Sequence, residues 1–212
     1  MGLRISAIGR GCPGENNVPG DTFSNAELLK HLQKGLSPWL KLVLQFSKTQ
    51  AKKAERSLEI FQKVSGIKER QLFINETPYP NECLGTAACL EAIKKVKAIN
   101  PSFDESKIGG FIFVTDTNDT VFPVSGKMVS RALGIKPRHF ANASLVCSSI
   151  LHAVEVASMW MEKDTECKYV LIATCDVTSR LHQQGTLKQP FLFGDQGVAI
   201  ILEKKEGSGG FI

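Results

Sequence analysis

The sequence predicts an α/β fold in which a mostly parallel, mixed sheet carries helices on both faces. Three observations lead there. Patterns of period two and period 3.6 alternate along the chain, the order that builds strand–helix–strand units. Two of the strand segments, Ile108–Thr115 and Tyr169–Ala173, are near-continuous apolar runs. A strand apolar on both sides needs helices over both faces of its sheet. Glycine, proline and asparagine clusters separate the segments, as connections do.

In order, Leu3–Gly9 alternates and ends in glycine, which predicts a first strand. Gly11–Gly20 holds Pro13, Gly14, Asn16, Asn17 and Pro19 and is a loop. Ser24-Asn25-Ala26-Glu27 is a capping-box pattern and starts a helix to about Lys34. After Gly35 and Pro38, Leu42, Val43, Phe46, Leu58, Phe61 and Val64 fall at helical spacing, with a polar middle from Ser47 to Ser57. One helix or two broken ones fit equally. Gly66–Arg70 leaves the helix for an extended segment. Thr77–Asn81 is a proline-containing loop. Asn81–Ile99 is a helix with Leu84, Ala87, Ala88, Ile93 and Val96 on one side and lysines near its C-terminal end, where the dipole favours cations. Asn100-Pro101 ends it. Val124–Leu133 is a helix stopped by Gly134, and Arg138–Ala143 a strand. A second helix runs from Ile150 to about Glu162. Asp176–Gln189 is a polar loop, Val198–Glu203 a last strand, and Gly207–Gly210 trails off.

Composition narrows the function classes. The chain of 212 residues fits a single domain over 1–212, with 42% hydrophobic and 22% charged residues as in a globular protein. No apolar stretch is long enough to span a membrane, and Met1–Ser6 lacks the apolar core of a signal peptide, so a cytoplasmic protein is expected. Cys12, Cys83, Cys89, Cys147, Cys167 and Cys175 form no C-x-x-C pair, and no histidine stands at metal-ligand spacing to them. Reduced thiols and no metal site follow. The net charge of +5 is concentrated between Lys41 and Arg70. That stretch lacks interleaved aromatics, which argues against nucleic acid and leaves an acidic partner or a solvated helix face.

Chemistry centres on Cys147. The apolar run from Phe140 to Val146 leads into it, and helical periodicity follows. A cysteine at a strand-to-helix junction lies at the positive end of a helix dipole, among N–H groups without partners. Such a setting favours the thiolate and makes a nucleophile. The competing reading is a small buried core residue. His152 is five residues on, about 140° around a helix, and should not face the thiol.

Several segments, taken together, resemble the β-ketoacyl-acyl carrier protein synthase III family, of the thiolase fold. Gly66-Ile67-Lys68-Glu69-Arg70 is similar to its G-I-x-E-R motif, and Phe122-Pro123 to its F-P after the central strand. Phe140–Ser148 resembles the segment that carries the active cysteine, and Phe193-Gly194-Asp195-Gln196-Gly197 its F-G-D-G-A motif. The order and spacing agree with the family's N-terminal half. The longer stretch around 36–64 reads as a helical insertion. Departures are Ala141 for aspartate, Ser149 for the glycine two after the cysteine, and Gln196 for glycine. The family's coenzyme A-contacting tryptophan and arginine align with Ile60 and Val64.

The resemblance implies an acyltransferase of the condensing type. Cys147 would take an acyl group from acyl-CoA or an acyl carrier protein and pass it to a carbanion formed from a malonyl thioester. It implies no tightly bound cofactor. Arg180 and Phe122 become candidate substrate contacts, Phe122 by reaching across a homodimer interface or, alternatively, as core packing. Ser149, Gly194 and Asp195 become supports near the site, Asp195 by fixing a turn through backbone N–H groups. An acidic carrier protein is the partner expected at the basic stretch 41–70. The family's catalytic histidine and asparagine belong to its C-terminal half, so a C-terminal half or second subunit is also expected. Two other functions share the fold: transfer to an oxygen or nitrogen nucleophile, and a non-catalytic partner subunit.

Overall fold

A computed structural model describes residues 2–15, 18, 20–27, 56, 59–73, 78–180, 192–205 and 210–211. Most of the expected insertion around 36–64 and of the basic stretch 41–70 lies outside the described residues, as do His31 and His182.

Strands β1 (Gly2–Gly11), β4 (Ile108–Val114), β5 (His139–Ala143), β6 (Tyr169–Asp176), β7 (Gln196–Lys205) and β8 (Gly210–Phe211) form one sheet in the order β5-β4-β6-β7-β1-β8. The β5, β4 and β6 strands are mutually parallel, β7 is antiparallel to both β6 and β1, and β8 is parallel to β1. The sheet is therefore mixed, with its parallel part around β4. Strands β2 (Asp21–Ser24) and β3 (Glu69–Leu72) pair antiparallel as a separate ribbon. The helices are α1 (Pro80–Ile99), α2 (Ser125–Ala132) and α3 (Ser149–Lys163).

Alternation on the strands sorts the core into two layers. Phe111, Phe113, Leu171, Ala173, Ala199 and Ile201 point to one face, where they meet Leu84, Ala88, Ala92, Ile93 and Val96 of α1 and Val129 of α2. Ile112, Val114, Val170, Ile172, Ile200 and Leu202 point to the other, against Ala153, Ala157 and Met161 of α3. Every residue of β4 is buried, which is why it reads as an uninterrupted apolar run. Close packing of α1 on β1 requires glycine: a Cβ at Gly9 would stand 2.1 Å from the carbonyl oxygen of Ala88.

Local signals account for most element ends. Glu27 accepts from the Ser24 amide at 2.9 Å while the Ser24 hydroxyl accepts from the Glu27 amide at 3.3 Å, a reciprocal capping box at a helical segment over 25–27. Residues 59–65 are helical and leave through Gly66 at φ +72°. Pro80 opens α1 rather than closing the preceding loop, because its missing N–H is no loss in a first turn. Strands β2, β8 and the outer residues of β7 go beyond the sequence reading. The glycine-rich end does not merely trail off, since Gly210 and Phe211 pair with Gly2 and Leu3. No helix among the described residues is long and apolar enough to cross a membrane.

Candidate active site

Because β4, β5 and β6 are parallel, their carboxyl ends meet at one edge of the sheet, where open α/β sheets place their sites. Cys147 sits there. It follows β5 in a short 3-10 turn, Val146–Ser148, and α3 starts two residues later. Val146, just before it, has φ +55°, a left-handed conformation that is a genuine outlier for a β-branched residue. The chain thus makes a sharp strand–turn–helix bend and leaves Cys147 exposed. The buried-core alternative for this cysteine does not hold.

Four of the other thiols are buried. Burial pushes those of Cys12, Cys89, Cys167 and Cys175 up from the ordinary cysteine value. Among the described residues, which include all six cysteines, no disulfide forms. No three His, Cys, Asp or Glu side chains among the described residues gather as a metal site would.

Ser149 is buried at the first position of α3. Its hydroxyl donates to the Val146 carbonyl at 2.6 Å and accepts from the Leu145 amide at 2.9 Å. It braces the turn from the helix side. His152 lies on the exposed face of α3, 3.5 Å from Glu155.

Asp195 is 2% exposed, and its carboxylate accepts from the amides of Phe73 at 2.7 Å and Ser179 at 2.9 Å. The Thr178 hydroxyl, 3.4 Å away, is a third donor. Asp195 thereby joins the exit of β3, the turn after β6 and the start of β7. Gly194 lies against the ribbon, where a Cβ would stand 3.3 Å from the Arg70 side chain and the Gln71 carbonyl. Arg180, in the 3-10 turn Thr178–Arg180, holds the Pro78 carbonyl at 3.1 Å and Asp119 at 3.4 Å. Phe122 is 90% exposed in the connection between β4 and α2, which removes the core-packing reading and leaves an aromatic presented outward.

Sequence reasoning missed the polar network beneath this edge. Asp176, at the end of β6, accepts from the Asp116 amide at 2.9 Å and from the hydroxyls of Thr115 and Thr117 at 3.2 and 3.3 Å. Burial pushes its carboxyl up, and these donors pull it partly back. Asp116 in turn receives the Ser144 hydroxyl and the Val146 amide from the turn before Cys147. Asp119 has a fully buried carboxylate that accepts from the amides of Asn81 and Glu82 at 3.1 and 3.0 Å. Asn142 accepts from the Gly126 amide at 3.0 Å, tying β5 to α2 one residue after Ala141. The position of these residues just past apolar strands was the available signal.

Comparison with known proteins agrees with this layout. The model for the 3-oxoacyl-[acyl-carrier-protein] synthase III family matches residues 142–212. A β-ketoacyl-[acyl-carrier-protein] synthase III from Brucella anthropi is 29% identical over 145 residues, 68% of this chain and 42% of that protein. One from Wolbachia pipientis is 31% identical over 129 residues, 61% of this chain and 39% of that protein. The crystal structure of the synthase III from Aquifex aeolicus superposes with a TM-score of 0.67 at 20% identity, over 97% of this chain and 55% of its own. The chain spans about two fifths of the length of the curated relatives it matches. It resembles the β-ketoacyl-acyl carrier protein synthase III family in sequence and carries the thiolase fold of those enzymes.

Proposed function

We propose that this chain carries the nucleophile of a condensing acyltransferase of the synthase III type. The observation that supports it is Cys147: an exposed thiol at a strained strand–turn–helix bend, at the carboxyl edge of a sheet with that fold. The Cys147 thiolate attacks the carbonyl carbon of an acyl thioester. Amides at the start of α3 receive the oxyanion of the tetrahedral intermediate. The C–S bond of the donor breaks, the donor thiol leaves with a proton, and an acyl-Cys147 thioester remains. In the condensation, a malonyl thioester loses carbon dioxide, its carbanion attacks the acyl carbon, and the Cys147 thiolate is released. The histidine and asparagine that serve this second step in the family belong to its C-terminal half.

The donor is better read as an acyl carrier protein than as coenzyme A. Ile60 and Val64, aligned with the family's nucleotide-contacting tryptophan and arginine, are exposed aliphatic residues with nothing to pair with a phosphate. Lys63 and Lys68 carry exposed charge beside them and suit an acidic partner.

Incubation with an acyl carrier protein thioester, followed by peptide mass spectrometry, tests the reading. The expected product is one acyl group on Cys147, lost in Cys147→Ala. Acylation elsewhere, or none under conditions where iodoacetamide labels Cys147, overturns it. Adding a malonyl thioester separates condensation from plain transfer through release of carbon dioxide.

A further inference from the structure

Asp116 stands outside the family motifs, yet it grips the turn that carries Cys147. Its carboxylate accepts from the Ser144 hydroxyl, and its Oδ1 accepts from the Val146 amide at 3.3 Å. Its own amide is anchored on Asp176 Oδ1 at 2.9 Å, and Asp176 is fixed in turn by Thr115 and Thr117. From the other side, the buried Ser149 hydroxyl holds the Val146 carbonyl at 2.6 Å. Val146 is therefore gripped at both its N–H and its C=O. It is also the non-glycine residue at positive φ, +55°, among those described. A β-branched side chain resists that conformation, which persists only where surrounding bonds over-determine it. Val146 is the residue whose peptide leads into Cys147, so its φ sets where the thiol points.

We propose that Asp116 is a positioning residue for Cys147. It holds Val146 in the left-handed conformation through an acceptor oxygen, and Asp176 keeps that oxygen in place. The inference rests on the reading of Cys147 as nucleophile for its consequence, and on the turn alone for its geometry. The oxygen acts as a hydrogen-bond acceptor, so an amide in place of the carboxylate suffices. Asp116 is exposed, so its substitution leaves the core intact.

The test uses the full chain, with two readouts. Amide hydrogen exchange of residues 144–149 reports the grip directly. The rate of Cys147 acylation by octanoyl-N-acetylcysteamine reports its consequence. Asp116→Ala is expected to speed exchange and slow acylation, each about tenfold, because it removes two charge-assisted bonds from a strained turn. Asp116→Asn should stay within about threefold of the wild type on both, since Oδ1 still accepts. In a Val146→Gly background the same Asp116→Ala change should cost acylation no more than about twofold, since glycine takes positive φ freely. Unchanged exchange in Asp116→Ala overturns the inference. So does an Asp116→Asn loss equal to that of Asp116→Ala, or an undiminished loss in the Val146→Gly background. Failure of the wild type to acylate overturns the nucleophile reading alone, because exchange still decides the grip.

Discussion

Two kinds of helix start lie at the carboxyl edge of this sheet. At α1 and α2 the first-turn amides are taken by side chains from neighbouring loops: Asp119 receives those of Asn81 and Glu82, and Asn142 receives that of Gly126. At α3 the preceding residue, Ser148, makes no side-chain cap, and the Ser149 amide is taken by the Val146 carbonyl. The side chains near it, Asp116 and Ser149, bond the turn before the helix instead. The difference separates structure from chemistry. A capped start is closed to an incoming anion. A start without a side-chain cap, next to an exposed thiol, is what the proposed acyl transfer would use for its oxyanion, through amides beyond that of Ser149, which the Val146 carbonyl takes. The orphan amides of a helix normally find side-chain or backbone partners, so the missing side-chain cap beside Cys147 is the feature that the proposed nucleophile would use.

The closed starts should break hard. Gly126→Ala places a Cβ about 2.4 Å from Phe113 Cβ, fixed on the buried strand β4, and 2.8 Å from Asn142 Oδ1. It is expected to cost about 3 kcal/mol of stability, read as a fall in the urea midpoint. Asp119→Ala strips the acceptor from two amides of α1 and from Arg180, and should cost about 2 kcal/mol. A loss of only a few tenths in either variant would mean that these starts need no cap, and the contrast with α3 would collapse.

Much of this edge was readable and part was not, for a physical reason. Strands β4 and β6 announced themselves as apolar runs, and Cys147 followed because an apolar run, which became the half-buried edge strand β5, and a helical period flanked it. The Ser24–Glu27 capping box was local and therefore visible. The ribbon of β2 and β3 was not, because Asp-Thr-Phe-Ser and Glu-Arg-Gln-Leu are too short and polar to signal pairing across the intervening chain. The Asp116–Asp176 and Asp119–Asn81 bonds join residues 60 and 38 apart in sequence. They exist only because strand order brings those ends together, and no local pattern encodes strand order.

Asp176 offers a comparison by pH. Burial holds its folded-state carboxyl above the ordinary aspartate range. A group raised on folding contributes stability that is full below its unfolded pKa and lost as pH rises through its folded value. Asp176→Asn removes that titration while keeping an acceptor. The wild type should therefore lose stability relative to Asp176→Asn as pH climbs out of the ordinary carboxylate range. The two unfolding curves should converge in acid. A gap that instead widens in acid would show that the ionised carboxylate is the form the fold prefers.

Ser148→Asp tests the open start most directly. Ser148 is the exposed residue before α3 and has helical backbone angles, φ −84° and ψ −6°. A side-chain cap needs an extended backbone there, so an aspartate would act mainly through the helix dipole. The expected gain in stability is small, about 0.3–1 kcal/mol. The expected effect on chemistry has the opposite sign. A carboxylate next to a thiol disfavours the thiolate, and its charge repels the oxyanion of the proposed transfer. Alkylation of Cys147 by iodoacetamide at pH 7 should slow about threefold to tenfold while the melting temperature rises. Stability and reactivity moving apart in one variant is what a helix start kept free of a side-chain cap for the proposed chemistry requires. If the two rise together, the missing side-chain cap at α3 is incidental.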